Sequence, residues 1–548
     1  EFTKFVEDYY QALFTWDPNA ATYAGIHDFD DKLPDFSAGS YSRRGVILQR
    51  LHARLSGLRA AKLSDADAID AEVLDHAIRA ELLEIQQVRD WQRNPMTYVG
   101  APATGIDLLM KRSFAPPAQR LKSVIARLKA APPLFAALRS NVVNPPKEFT
   151  DLGLIVAKGS VSFFKTDLPA WAKSAAGKDA KVLADFEAAN TPLIAEFESA
   201  VKWLEQDLLP RSKGSYAIGS DAFMKKLETE EMLDIPLDRL LAIGKANLKK
   251  DRDAFVATAA KIDPKLPPEK VLALLTEDHP KPDELVGATR GTIERTRRFL
   301  IDKHIVSVPS EVRPTVAETP QFMRTGGFAS MDTPGAFETK ATEAFYYVTP
   351  PEKDLEPKRQ IEHMRQFNKT GMDIITIHEA FPGHYIQFLF SKQYPTKVRK
   401  IYTCGTNVEG WAHYTEQMSV DEGYGDGDPK VRLAQLSEAL LRDCRYVVGI
   451  KLHTEGWTVA QGQKFFVEQG FIEPETAFHE SRRGAYNPTY LYYTLGKLQI
   501  LKLREDYKKA KGTDFSLQKF HDEFVRQGGL PIKLIRQIML PGDHRPTL

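Results

Sequence analysis

The stretch 374–390, IITIHEAFPGHYIQFLF, reads as an apolar, helix-forming run with a proline and a glycine set in its middle. Pro382 cannot donate a hydrogen bond back to the carbonyl of His378, so a helix must open there. Gly383 can take up the dihedrals that follow such an opening. His378 and His384 stand on either side of the break. On an unbroken helix, six positions place two side chains about 240° beyond one full turn, on different faces. Two residues looped out as a bulge would restore the facing of a four-residue spacing. With that facing, His378, His384 and the adjoining Glu379 form the donor set of a zinc hydrolase helix. There, H-E-x-x-H brings both imidazoles to one ion and the glutamate acts as general base on the metal-activated water. A bare H-E with a nearby second histidine also arises by chance, with Pro-Gly simply ending a helix. Other residues have to decide.

The next informative segment is 407–418, NVEGWAHYTEQM. Glu409, His413 and Glu416 fall at i, i+4 and i+7 and line one helical face. Burying such a face is costly unless it is paired or metal-bound; the plain alternative is a solvated charged face. Enough chain separates His384 from Glu409 for one helix to end, turn and send a neighbour back. Glu409 is the expected third ligand, the usual source being a glutamate on the following helix. Glu416 is expected to hold one of the histidines from behind. His413 has three possible roles: ligand, support for Glu409, or substrate contact. Trp411, Tyr414 and Met418 occupy other positions and can pack.

Around these segments the chain is mostly helical. In 66–91, Ile69, Val73, Leu74, Ile78, Leu82 and Ile85 recur at helical spacing with Asp70, Glu72, Asp75 and Glu84 between them. Proline pairs at 116–117, 132–133 and 145–146 mark breaks between helices. The texture changes near residue 304. Segment 304–320 alternates apolar and polar residues with three prolines, as extended edge structure does. Segment 325–335 is glycine-rich, and 344–348 (AFYYV) is β-favouring. These features predict a mainly α protein with one small antiparallel sheet beside the metal helix.

Length and charge narrow the partners. The 548 residues suffice for one large domain or two to three ordinary ones. A net charge of +1, from 74 basic and 73 acidic residues, leaves no basic excess for nucleic acid or an anionic membrane. Apolar runs are too short for an integral membrane segment. Two cysteines, Cys404 and Cys444, exclude a disulfide scaffold and a thiolate zinc site; they are one bridge or two buried thiols. The chain opens at Glu1 without a methionine, which a removed secretory signal or an expression truncation would explain. A periplasmic or secreted location is expected over a cytoplasmic one.

HEAFPGHYIQ followed by EGWAHYTEQ resembles the bacterial domain-of-unknown-function 885 family, whose hallmarks are H-E-x-x-P-G-H and E-G-W-A-x-Y-x-E. The resemblance extends to DPNAATYAGIHDFDDKLPDFS near the start and to CRYVVGIKLHTEGWT and YLYYTLGKL later. It implies a gluzincin-like zinc peptidase arrangement, with a glutamate ligand on the helix after the histidine pair. His413 stands where the family usually carries an apolar residue, and Gly449 where an acidic one is common.

Hydrolysis of an amide builds an oxyanion, which needs a donor besides the metal. His453 in GIKLHTEGW and the aromatic run 486–493, where Tyr490 and Tyr493 share a face, are the candidates; core packing is the plain alternative for each. The resemblance favours Tyr493, aided by His453. Glu480 and Arg483, three apart, are expected to pair, with Arg483 either clamping a substrate carboxylate or bracing the site. The strand at 344–348, as an edge, would accept a substrate backbone by strand addition.

Together these readings predict Zn²⁺ on His378, His384 and Glu409, with Glu379 as the base, in a single two-lobed domain. A helical lobe over roughly 1–300 and a catalytic lobe over roughly 301–548 would flank a deep central cleft, which the family resemblance alone implies is suited to short peptides. The alternatives are a metal-dependent amidase acting on a non-peptide substrate, and a catalytically inactive metal-binding protein.

Overall fold

The computed structural model describes residues 1–548 apart from Lys62 and His544. Its contacts divide the chain into two compact units. One comprises 1–216, 319–325 and 333–343, and the other 217–318, 326–332 and 344–548. The division falls earlier than the change of texture near residue 304, because helix Leu237–Ile262 packs along Pro429–Thr454. Tyr446 donates its hydroxyl to the Leu240 carbonyl there at 2.9 Å.

The first unit is helical throughout its long N-terminal part. Each proline pair sits at the start of a helix: Pro117–Ala130, Pro132–Asn141, and Lys147–Lys165 after Pro146. A first-turn proline loses nothing, since that amide has no partner within the helix. Tyr98, Leu121, Leu128, Phe135, Phe164 and Phe197 meet in its core. Helix Asp65–Leu83 follows the apolar spacing read from sequence, but Asp75, placed there between the apolar positions, is buried. It is paid for by His52 Nε2 at 3.0 Å and Arg59 at 3.2 Å.

The second unit is also mainly helical and holds a three-stranded sheet in the order β1-β3-β2. The strands are Thr315–Glu318 (β1), Ala329–Asp332 (β2) and Phe345–Val348 (β3). β1 runs parallel to β3, with Val316 opposite Tyr346, while β2 is antiparallel, with Met331 opposite Tyr346. The sheet is therefore mixed, not antiparallel as expected. The aromatic strand is also its centre and not an edge: both of its backbone sides are already paired, which removes it as a place for strand addition. Tyr346 reaches the helix Lys369–Glu379, its hydroxyl 3.2 Å from Thr376 Oγ1.

Two further helices, Gly405–Asp421 and Tyr492–Lys511, approach closely. A Cβ on Gly410 would stand 2.6 Å from the Cα of Gly496, so only glycines permit this contact. Cys404 and Cys444 are both buried free thiols. Among the described residues, no helix is long and apolar enough to cross a membrane.

Candidate metal centre

Helix Lys369–Glu379 is started by Asn368, whose side chain accepts from the Gly371 amide at 2.9 Å. It stops at Glu379, and a new helix, His384–Phe390, begins after Pro-Gly. The two histidines thus lie on separate helices, not on one helix with a bulge. The reason is local. Pro382 has no amide to continue the first helix, and the Gly383 amide turns back to donate to the Ile377 carbonyl at 2.9 Å. Gly383 is needed for close approach: a Cβ there would lie 1.8 Å from the carbonyl oxygen of His378.

Helix Gly405–Asp421 brings the third residue. The amides of Gly405 and Thr406 each donate to the Glu231 carboxylate at 2.9 Å, an anion where the helix dipole favours one. One turn on, Trp411 Nε1 donates to the carbonyl of Pro382 at 3.0 Å and lies 3.3 Å from that of Gly383. This indole ties the Pro-Gly turn to the helix that carries Glu409.

Donor atoms of His378, His384 and Glu409 all lie within 4.8 Å of one another. Glu409 Oε2 is 3.4 Å from His378 Nε2 and 3.3 Å from His384 Nε2. Neither contact has the alignment of a hydrogen bond, and Glu409 Oε2 is buried without a hydrogen-bond partner among the described residues. Three donors that face one point and do not bond to each other fit a tetrahedral cation with one position left open. The set of two imidazoles and one carboxylate suits zinc.

Support comes from behind. His378 Nδ1 donates to Glu416 Oε1 at 2.6 Å, which leaves Nε2 with its lone pair toward the centre. Glu416 is fully buried and also accepts from His413 Nδ1 at 3.1 Å, with Arg442 3.5 Å away. Burial would raise the Glu416 carboxyl, but Arg442 and the two histidines hold it well below the usual range. His413 therefore braces Glu416 and is no ligand. Burial, reinforced by Lys497, takes His413 down to about 3, so the ring is neutral. For His378, burial pulls downward, yet Glu409 and Glu416 together raise it to about 9 in the absence of a cation. Burial likewise works against the Glu409 carboxylate, and the flanking His384 and His378 hold its pKa well below normal.

Glu379 lines a cavity of about 540 Å³, part of it open to solvent, together with His378 and Tyr493. Burial raises the Glu379 carboxyl, with His384 and His378 opposing, and its Oε2 has no hydrogen-bond partner among the described residues. The Tyr493 ring centroid is 6.2 Å from that of His378. Its hydroxyl accepts from Arg483 at 2.7 Å.

Two sequence candidates are not brought to this cavity. His453 Nε2 donates to the Gly484 carbonyl at 2.7 Å, and its ring stacks on Phe223. It lies about 16 Å further along its helix than Arg442, too far to serve the same point. Tyr490 is buried, donating to the Glu480 carbonyl at 3.3 Å. Its ring occupies the space that a side chain at position 449 would need, which explains Gly449: a Cβ there would lie 2.8 Å from the ring. Glu480 pairs with Arg445, at 2.6 and 2.8 Å, and not with Arg483 as expected. Sequence reasoning does not single out Arg442 and Arg445; the available signal is two arginines, with Asp443 between them, inside the mostly apolar run 439–450.

The family model described as bacterial protein of unknown function (DUF885) matches residues 18–539. Two solved structures are each described as a "putative lipoprotein". One, of unknown function, is from Shewanella oneidensis; it is 27% identical with a TM-score of 0.78, covering 98% of this chain and 100% of its own. The other, from Colwellia psychrerythraea, is 19% identical with a TM-score of 0.80, covering 98% of each chain, and indicates the shared fold alone. No curated protein sequence matches the chain significantly.

Proposed function

The chain belongs to the family described as bacterial protein of unknown function (DUF885), and from that premise and the site geometry we propose that it is a zinc-dependent hydrolase of peptide bonds, acting on short peptides. The observation that carries the reading is the convergence of His378, His384 and Glu409 within 4.8 Å, with Glu379 lining one cavity together with His378. His378, His384 and Glu409 would hold the zinc. When bound, the ion supplies Lewis-acid polarisation of water and of the scissile carbonyl.

The chain's own groups account for the rest. Glu416 keeps the proton of His378 on Nδ1. Glu379, with its carboxyl raised by burial, is suited to accept a proton from the attacking water and return it to the leaving amine. Arg483 occupies a lone pair of the Tyr493 oxygen, so the Tyr493 proton is free to be donated to the developing oxyanion. The similar solved structures carry a lipoprotein description, which supports an extracytoplasmic location for this chain.

The test is the Glu379→Gln variant. Zinc content should stay at one per chain while hydrolysis of di- and tripeptides falls about 10²–10⁴-fold, the usual worth of a general base. Unchanged turnover in that variant would remove the assigned role.

A further inference from the structure

Three guanidinium groups line the cavity beside the candidate metal centre: Arg442, Arg445 and Arg483. Arg442 pairs with Glu438 and lies 3.5 Å from Glu416. Arg445 takes both oxygens of Glu480, at 2.6 and 2.8 Å. Arg483 has no carboxylate partner among the described residues. Among the described residues its one hydrogen bond goes to the neutral hydroxyl of Tyr493, and its guanidinium lies 5.6 Å from that ring. Glu480, the carboxylate three residues before it, turns both oxygens to Arg445 and makes no contact with Arg483.

An arginine offers five N–H donors in a planar fork that matches a carboxylate. Glu480 acts on Arg483 only from a distance, so the N–H donors of this cavity-wall cation that Tyr493 does not use stay open to a ligand carboxylate. The chain of contacts from His378 through Tyr493 sets its reach. Arg483 stands within about 12 Å of the His378 ring, no more than three to four extended residues.

We propose that Arg483 is a carboxylate-recognition site of the cavity, selecting short peptides that carry a carboxylate within a few residues of the bond that is cut. The substrate class rests on the hydrolase reading above; the binding site itself does not. Two sources supply such a group, the free C-terminus of the peptide and an acidic side chain, and the probes below separate them.

The experiment uses the zinc-loaded full chain with Glu379→Gln to stop turnover, and calorimetry as the readout. The probes are tri-alanine, its C-terminal amide, and the same amide with glutamate as its last residue. The free acid should bind roughly 10- to 100-fold more tightly than the amide, the worth of a charge-assisted hydrogen-bonded pair. Recovery of affinity by the glutamate-bearing amide assigns the group to a side chain; no recovery assigns it to the terminus. Adding Arg483→Met should erase the discrimination, whereas Tyr493→Phe, which removes the hydroxyl but keeps the guanidinium, should preserve it. If the Met variant does not fold, Arg483→Lys should reduce the discrimination. Equal affinity for acid and amide, no binding of either, or discrimination that survives loss of Arg483 would overturn the proposal. Selective binding with no hydrolysis by the unmodified enzyme would leave the carboxylate site standing and remove the hydrolase reading instead.

Discussion

Gly383→Ala is the substitution that probes the site without touching a donor atom. The added Cβ would meet the His378 carbonyl oxygen at 1.8 Å and the Ile377 carbonyl oxygen at 2.4 Å. Non-bonded contacts of this kind need about 3 Å or more, so the turn must shift by roughly 1 Å. That movement breaks the 2.9 Å bond from the Gly383 amide to Ile377 and leaves a buried amide unpaired. The loss is about 1–3 kcal/mol for the amide, with a similar amount for the overpacked turn. We expect a destabilisation of about 3 kcal/mol, read by urea unfolding of the metal-free protein. His384 begins the helix immediately after the turn, so it moves too. Metal sites tolerate displacements of only about 0.2 Å. Zinc affinity, read by competition with a chromogenic chelator, should fall at least 10-fold, as it does when ligand support is lost. A variant that unfolds like the parent and binds zinc equally well would refute the idea that the Pro-Gly turn sets the ligand geometry.

Glu416→Gln removes the charge that faces His378, His413 and Arg442. It should cost about 3 kcal/mol of stability in a denaturant titration and 10- to 100-fold in zinc affinity by chelator competition. Trp411→Phe keeps the ring packing but loses the indole donor to the Pro382 carbonyl; stability should drop by about 1–2 kcal/mol, with weaker zinc binding measured alongside. His521 is buried, donating from Nδ1 to the Ile305 carbonyl and accepting at Nε2 from Tyr414, and burial takes it down to about 3. Its folded pKa lies below the unfolded value near 6.5, so its contribution is complete above pH 6.5 and is lost as pH falls towards 3. Unfolding free energies across that range should decline by about 4 kcal/mol on this account, and His521→Gln should make the decline shallower.

The convergence of His378, His384 and Glu409 was legible because two local rules sufficed. Proline forbids the helix from continuing, and an i, i+4, i+7 polar face on the next helix has few places to go. The form of the convergence was not legible: a bulge and a break between two helices satisfy the same spacing. The aromatic strand was found by its composition, but its central position depends on β1 and β2 pairing with it from distant parts of the chain. Helical spacing pairs Glu480 with Arg483, three positions on, whereas the packing of two helices delivers Arg445 to both of its oxygens. His453 is favoured by the family resemblance, yet it takes the plain alternative of core packing, stacked on Phe223 and well along its helix from the cavity. Trp411 gave no sign in sequence that its indole would hold the Pro-Gly turn, since an acceptor on another element is invisible to spacing.

The most direct test is anomalous diffraction at the zinc edge from crystals of the zinc-loaded protein. One strong peak per chain is expected, about 2.0–2.2 Å from a nitrogen of His378, a nitrogen of His384 and an oxygen of Glu409. No peak there, or one surrounded by other side chains, would contradict the assignment of this centre.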